Sequence, residues 1–167
     1  GSSLVVVDAK GDYGDENNWR ASYEYGGLPG KENKDNENSL VITEILSHTD
    51  LPLVDTIEIK NNSDSDIDIS GWYISDSDSN WKKYQIPQGT IIPAQGFITF
   101  DESQFNPNGI WNPDAVEPQD TEFAISSSGD QIYLIEATNG RPLYYAAERK
   151  FGPSRNGISF GQYYNSE

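Results

Sequence analysis

The residues best suited to metal chemistry are the aspartates in "NNSDSDIDISGWYISDSDSN", residues 61–80. Calcium loops of the EF-hand type place carboxylates at alternating positions and also need a glycine at the sixth position and a glutamate at the twelfth. Neither the frame that begins at Asp64 nor the one that begins at Asp76 supplies them. An irregular Ca²⁺ site at Asp76 and Asp78 stays as a weak hypothesis, and no other metal or cofactor is expected.

The same stretch also fits a turn that leads into a buried strand. The Asn, Ser and Asp side chains of residues 61–66 can form hydrogen bonds with nearby backbone groups, in place of the backbone hydrogen bonds between strands. Gly71 then allows a sharp bend at the end of a short strand. The aspartates stay in water on the outer face. The residues expected to point inward are Ile67, Ile69, Trp72 and Ile74.

Catalytic residues are scarce in this chain. His48 is its one histidine and there is no cysteine, so a nucleophile has few bases to activate it. Asp101 and Glu102 form a carboxylate pair, but adjacent strand residues point to opposite faces and do not flank a common cleft. We therefore expect no enzyme activity.

Aromatic side chains are the best candidates for binding. Trp111 lies in the segment 102–120, which contains three prolines and which we interpret as a surface loop. Trp81 and Tyr84 are further candidates, since an exposed ring can stack on a sugar or anchor a protein partner. The alternative is that these rings cover the ends of the folded domain.

The charge of the chain excludes some partners. With 27 acidic and 11 basic residues the formal net charge is −16, and sequence-independent affinity for nucleic acid comes from Lys and Arg that neutralise phosphates. No nucleic-acid partner is expected. The apolar runs are also far too short to span a bilayer, so no direct membrane insertion is expected.

The elements that would position these residues are short β-strands. β-branched and aromatic runs separated by turn residues predict an all-β fold, an antiparallel sandwich or barrel, and Asn139-Gly140 predicts a tight hairpin. Residues 1–38 predict a tail or linker, and 39–167 one domain. The predicted strands are 40–46, 56–61, 67–70, 72–76, 81–87, 96–101, 121–125, 130–136 and 142–147.

Four motifs in this order resemble the lamin tail domain in its bacterial form, over about residues 39–167. They are "IEIKN" at 57–61, "DISGW" at 68–72, "IPQGTIIPAQGF" at 86–97 and "SSGDQIYL" at 127–134. The resemblance implies an immunoglobulin-like antiparallel β-sandwich without catalytic residues. It implies that the structural polar and turn positions are Glu58, Asn61, Gly71 and Asp76. It also implies that the core contains Ile57, Ile59, Ile69, Trp72, Ile74, Phe97, Ile132 and Leu134.

The segment "NNWRASYEYGGLPGKEN", residues 17–33, resembles the tail that often follows such a domain in bacterial surface and secreted proteins. It indicates either the end of a preceding module, with flanking domains in the same polypeptide, or a plain flexible linker. The nuclear-envelope role of eukaryotic members is not carried over, because the chain is strongly acidic and shows no heptad rod.

These observations favour a noncatalytic interaction or structural module of a larger bacterial protein, secreted or on the cell surface. Such a module would act as a spacer, an adhesion unit or an anchor. Its partner is a protein or a polysaccharide that the sequence does not identify. The alternative is a carbohydrate-binding module that uses exposed aromatic rings, with or without Ca²⁺.

Overall fold

The computed structural model describes residues 3–22, 27, 39–109 and 121–161, and these fold almost entirely into antiparallel strands. The predicted all-β, immunoglobulin-like sandwich is confirmed. The helical elements are a 3₁₀ turn at Glu16–Asn18 and the short helix α1 at Glu102–Phe105. The strands are β1 Leu4–Val6, β2 Trp19–Ala21, β3 Leu40–Leu46, β4 Thr56–Asn61, β5 Ile67–Asp68, β6 Tyr73–Ser75, β7 Tyr84–Gln85, β8 Ile91–Ile92, β9 Phe97–Asp101, β10 Asp130–Thr138, β11 Arg141–Phe151 and β12 Phe160–Gly161.

Two four-stranded sheets enclose the core. Sheet I has the strand order β11-β10-β6-β7, and sheet II has the order β12-β3-β4-β9. β5 and β8 form a separate two-stranded antiparallel sheet. The interior is dominated by isoleucine, whose branched side chain suits a pleated sheet. Fully buried members include Ile45, Ile57, Ile59, Ile69, Ile74, Ile92, Ile132 and Leu134.

The pairing of β4 with β9 corrects one predicted core residue. Ile59 lies opposite Ile98, and Ile57 lies opposite Phe100, so these four side chains face the interior together. Phe97 lies opposite Lys60 and is 53% exposed. The prediction that Phe97 is a core residue is therefore wrong, because a shift of one residue moves a side chain to the opposite face.

A bulge in β3 lets two isoleucines at an odd spacing share the core. The register with β4 shifts between Ile42 and Glu44, and both Ile42 and Ile45 are buried. The extra residue, Thr43, donates its hydroxyl to Glu58 at 2.6 Å. A bulge places two residues opposite one, which is how β3 keeps its apolar side chains inside although strict alternation would expose one of them.

The hairpin between β10 and β11 forms at the predicted dipeptide. Asn139 and Gly140 have φ of 52° and 72°, the pair of positive angles that the type I′ turn requires. Two register shifts follow, between Leu134 and Ile135 and between Glu136 and Ala137. Because of the second shift, Glu136 lies opposite Tyr144.

The N-terminal segment contains a small ribbon of its own. β1 pairs with β2 from Leu4 opposite Ala21 to Val6 opposite Trp19. Asn18 closes the loop between them, since its side chain binds backbone groups of Asp8 and Asp12. Part of the segment predicted as a tail or linker is thus ordered, in residues 3–22.

The region 102–125 differs from its prediction in two places. Asp101 caps α1 and forms a capping box with Gln104, so the segment predicted as loop begins with a helical turn. Residues 121–125, predicted as a strand, do not pair with any described strand, although Phe123 and Ile125 are buried. Within the described ranges, no helix is long and apolar enough to cross a membrane.

Candidate functional site

The acidic stretch is built as a turn around Asn61, as predicted. This side chain is fully buried, and its amide donates to the carbonyl oxygens of Ser65, Ile92 and Pro93 at 2.8–3.2 Å. Its own oxygen accepts from the backbone and the hydroxyl of Ser63. Asn61 thereby joins the end of β4 to the segment after β8, which fixes the entry into the acidic turn.

Gly71 makes the second bend of this stretch. Its φ is +75°, a conformation that residues with a Cβ adopt only at a cost. Its amide donates to Ile86 at 2.9 Å, and the preceding Ser70 accepts from the amides of Gly89 and Thr90. The bend and the loop after β7 therefore hold each other.

The two weak metal candidates lie in the loop after β6 but differ in environment. Asp76 is half-buried and its Oδ1 lies 2.6 Å from the ammonium of Lys83. Asp78 is exposed, and its carbonyl accepts from the indole of Trp81 at 2.8 Å. In the part of the chain that the structure describes, no three His, Asp or Glu side chains form a cluster that could hold a metal ion.

Two of the three aromatic candidates lie within the described residues, and they differ in exposure. Trp81 is 3% exposed and packs on Tyr145, with ring centroids 4.1 Å apart, so it offers no ring face to a ligand. Tyr84 is half-buried against Phe100 and lines an open depression next to α1. Trp111 lies outside the described residues.

Trp81 belongs to an apolar layer on the outer face of sheet I that the sequence analysis did not predict. Tyr133 stacks on Tyr145 at 4.8 Å. Burial, with nearby Asp78 and Glu148, raises the pKa of Tyr133 to about 12, and burial also raises the pKa of Tyr145. Both faces of sheet I are therefore covered. The members of this layer are Tyr73, Trp81, Tyr133, Ile135, Ala137 and Tyr145.

The groups that could have served catalysis have structural contacts. His48 is exposed, and its Nδ1 lies 3.2 Å from the carbonyl of Ser154. Asp101 caps α1, and the backbone amide of Glu102 donates to the backbone carbonyl of Asp55. Burial raises the pKa of Asp55, Thr49 lowers it by donating a hydrogen bond, and the charge of Glu102 raises it further. None of these contacts pairs a nucleophile with a base.

A pocket of about 190 Å³ opens at the end of the core beside the β10–β11 hairpin. Its apolar walls come from Leu40, Ile67, Trp72 and Ala146, while Ser39, Glu136 and Tyr144 form its polar side. The Tyr144 hydroxyl donates a hydrogen bond to the Glu136 carboxylate. Neither Glu136 nor Tyr144 was predicted as a site residue from the sequence.

A family model described as Lamin Tail Domain matches residues 33–147. The match covers more than half of the chain and includes all four motifs on which the resemblance was based. It runs from before β3 into β11. A search of the curated proteins gave no match.

Proposed function

Because the chain belongs to the lamin tail domain family, we propose that it serves as a noncatalytic interaction or structural module of a larger bacterial protein. The module is exported or displayed on the cell surface, and it acts as a spacer, an adhesion unit or an anchor for neighbouring domains. Its partners are proteins or polysaccharides and not nucleic acids.

The observation that carries this proposal is the packing of the aromatic side chains. Trp81, Tyr133 and Tyr145 are buried in one stack on sheet I. A sugar-binding platform needs rings that remain open to solvent, so burial of this stack supports a structural role. The apolar layer buries additional apolar surface on the outer face of sheet I and thereby adds stability to the sandwich.

The proposed location is supported by composition and by the N-terminal motif. Cysteine is absent, and the net charge of −16 favours solubility and disfavours binding to phosphate backbones. Residues 17–33 resemble the tail that follows such domains in bacterial surface and secreted proteins, which supports flanking domains in the same polypeptide.

Tyr84 is the specific observation in favour of the carbohydrate-binding alternative. The depression that it lines also contains Lys83, Gln85 and Gln104. A partly open ring beside amide and ammonium donors is a combination that can bind a sugar.

A binding screen against glycan arrays and purified cell-wall polysaccharides tests the proposal, first with Ca²⁺ and then with a chelator. The proposal predicts no saturable binding to sugars in either buffer. The screen includes Trp111→Ala and Tyr84→Ala. Tyr13→Ala serves as the matched control, since Tyr13 is 57% exposed in the N-terminal ribbon.

Saturable glycan binding that is lost in Trp111→Ala or Tyr84→Ala but kept in Tyr13→Ala would replace the proposal with the carbohydrate-binding alternative. Sensitivity of that binding to the chelator would assign a role to Asp76 and Asp78. The location is tested separately, by labelling intact cells of the source organism with an antibody against the domain. Labelling only after lysis contradicts surface display, and antigen in neither the surface nor the culture fraction contradicts export.

A further inference from the structure

The pocket at the end of the core has the chemistry of a receptor for one basic side chain. It is smaller than the roughly 300–1,000 Å³ of sites for drug-sized ligands, at about 190 Å³. Its apolar walls include Trp72 and Ile67, and the charged residue on its polar side is Glu136, beside Ser39 and Tyr144. The side chains of lysine and arginine match these two parts of the pocket, because each has an apolar stem and a charged end group.

The charge of Glu136 is not neutralised within the described part of the chain. Its hydrogen-bond donor there is the hydroxyl of Tyr144, and it has no ion pair with a Lys or Arg of that part. A phenol donates one proton and leaves the negative charge in place. A half-buried carboxylate in a pocket that Trp72 also lines therefore favours a cation through direct attraction.

The fold sets the geometry of this pocket. Glu136 follows Ile132 and Leu134 on the inner face of β10, and the bulge in the hairpin brings Tyr144 opposite it. Both side chains therefore lie at the mouth of the core, where the interior of the sandwich reaches the surface. Trp72 comes from the bend after β5 and packs against the same core.

We propose that this pocket binds a lysine or arginine side chain presented by an extended segment of a partner protein. The inference rests on the proposed function as an interaction module and specifies the chemistry of one partner. The net charge of −16 assists it, because the field of an acidic domain attracts basic segments and raises their association rate at low salt.

The test uses short synthetic peptides that carry one Lys or one Arg among neutral residues, with matched peptides in which norleucine or citrulline replaces the cation. Binding to the full chain is followed by NMR, through the indole N–H of Trp72 and the backbone amides of Glu136 and Tyr144. We expect saturable shifts of these three signals with the cationic peptides and not with the neutral ones.

Glu136→Gln is the decisive variant, because it keeps an acceptor for Tyr144 and removes the charge. It is expected to weaken binding about tenfold or more, the effect of losing one charge-assisted contact. Glu44→Gln removes the same charge from exposed Glu44 on β3 and is expected to change the affinity less than about threefold. Melting curves of both variants control for folding.

Three outcomes would overturn the inference. Equal weakening by the two variants would show general electrostatic attraction. Shifts confined to other residues would move the contact elsewhere and leave the role as an interaction module intact. Binding that appears only when Lys31 and Lys34, the two lysines that most closely precede β3 in the sequence, are replaced by alanine would assign the cation to the chain itself. The glycan screen and the cell labelling decide the proposed function independently of all three.

Discussion

At the scale of single residues, the most consequential side chain is a buried amide. Asn61 donates to three carbonyl groups and accepts from Ser63. A buried carbonyl that loses its donor costs free energy because water does not replace the lost partner. The residue thus acts as the fixed point around which the acidic turn is built.

Replacing Asn61 with alanine should lower the free energy of unfolding by about 2–4 kcal/mol, since several buried polar groups lose their partners together. Chemical denaturation measures this difference. Asn62→Ala, at the exposed neighbouring position, should cost less than about 0.5 kcal/mol. Similar losses in both variants would contradict the assigned role of Asn61.

Asp55 gives the molecule a predictable dependence on pH. Burial raises its pKa above the usual 3.8, so the folded state holds this proton more tightly than the unfolded chain does. The contribution of Asp55 to stability is therefore most favourable below pH 3.8 and is lost as the pH rises through the higher pKa of the folded state.

Asp55→Asn should consequently melt at a higher temperature than the parent chain at pH 7, and this advantage should shrink as the pH falls towards 3.8. Thermal unfolding of the two proteins across this range measures the difference, and the other carboxylates cancel in the comparison. An advantage that stays constant with pH would show that the ionisation of Asp55 is not its cause.

At the scale of elements, short strands depend on the turns that join them. β5 and β6 contain two and three residues, too few to hold a register by their own hydrogen bonds. Gly71, which lies between them, adopts a positive φ. Its neighbour Ser70 accepts a hydrogen bond from the amide of Gly89, in the loop after β7. The bend therefore positions Trp72 and, with it, one wall of the pocket.

Gly71→Ala should destabilise the protein by about 1–2 kcal/mol, the cost of a left-handed conformation for a residue with a Cβ. The new methyl group would also approach the Gln88 amide to 3.1 Å. Urea denaturation gives the measurement. Gly152→Ala is the matched control, because no atom lies within 4 Å of a Cβ there; a loss as large at this site would remove the conformational explanation.

At the scale of the whole molecule, the described parts form one sandwich with an added ribbon. β1 and β2 pair with each other and with no other described strand. Arg20 of the ribbon lies near enough to sheet I for its charge to lower the pKa of Glu148, against the effect of burial, which raises it. Exposed charge pairs contribute about 1 kcal/mol or less.

Residues 39–167 should therefore fold alone, with one cooperative transition and a melting temperature within about 5 °C of the full chain. Calorimetry of the two lengths measures this, and light scattering confirms that both have the same oligomeric state. A much larger loss, or aggregation, would show that residues 1–38 cover part of the sandwich, the outer aromatic layer of sheet I being the first place to examine.

The fold class, most of the strands and the acidic turn could be predicted from the order of the residues alone. Alternating isoleucines, the Asn139-Gly140 turn and Gly71 act locally, and local signals of this kind can be read from consecutive residues. The capping box at Asp101 and Gln104 was also present in the sequence, although it was not recognised there.

Which side chains share a surface could be read only from the folded structure. A hairpin counted from Asn139-Gly140 without a bulge would place Leu143 opposite Glu136, whereas the actual bulge places Tyr144 there and forms the pocket. The register of β4 and β9 likewise turned Phe97 outward, and packing of distant segments buried Trp81 beneath the surface of sheet I. Register and packing depend on contacts between residues far apart in the chain, and composition and local periodicity do not contain them.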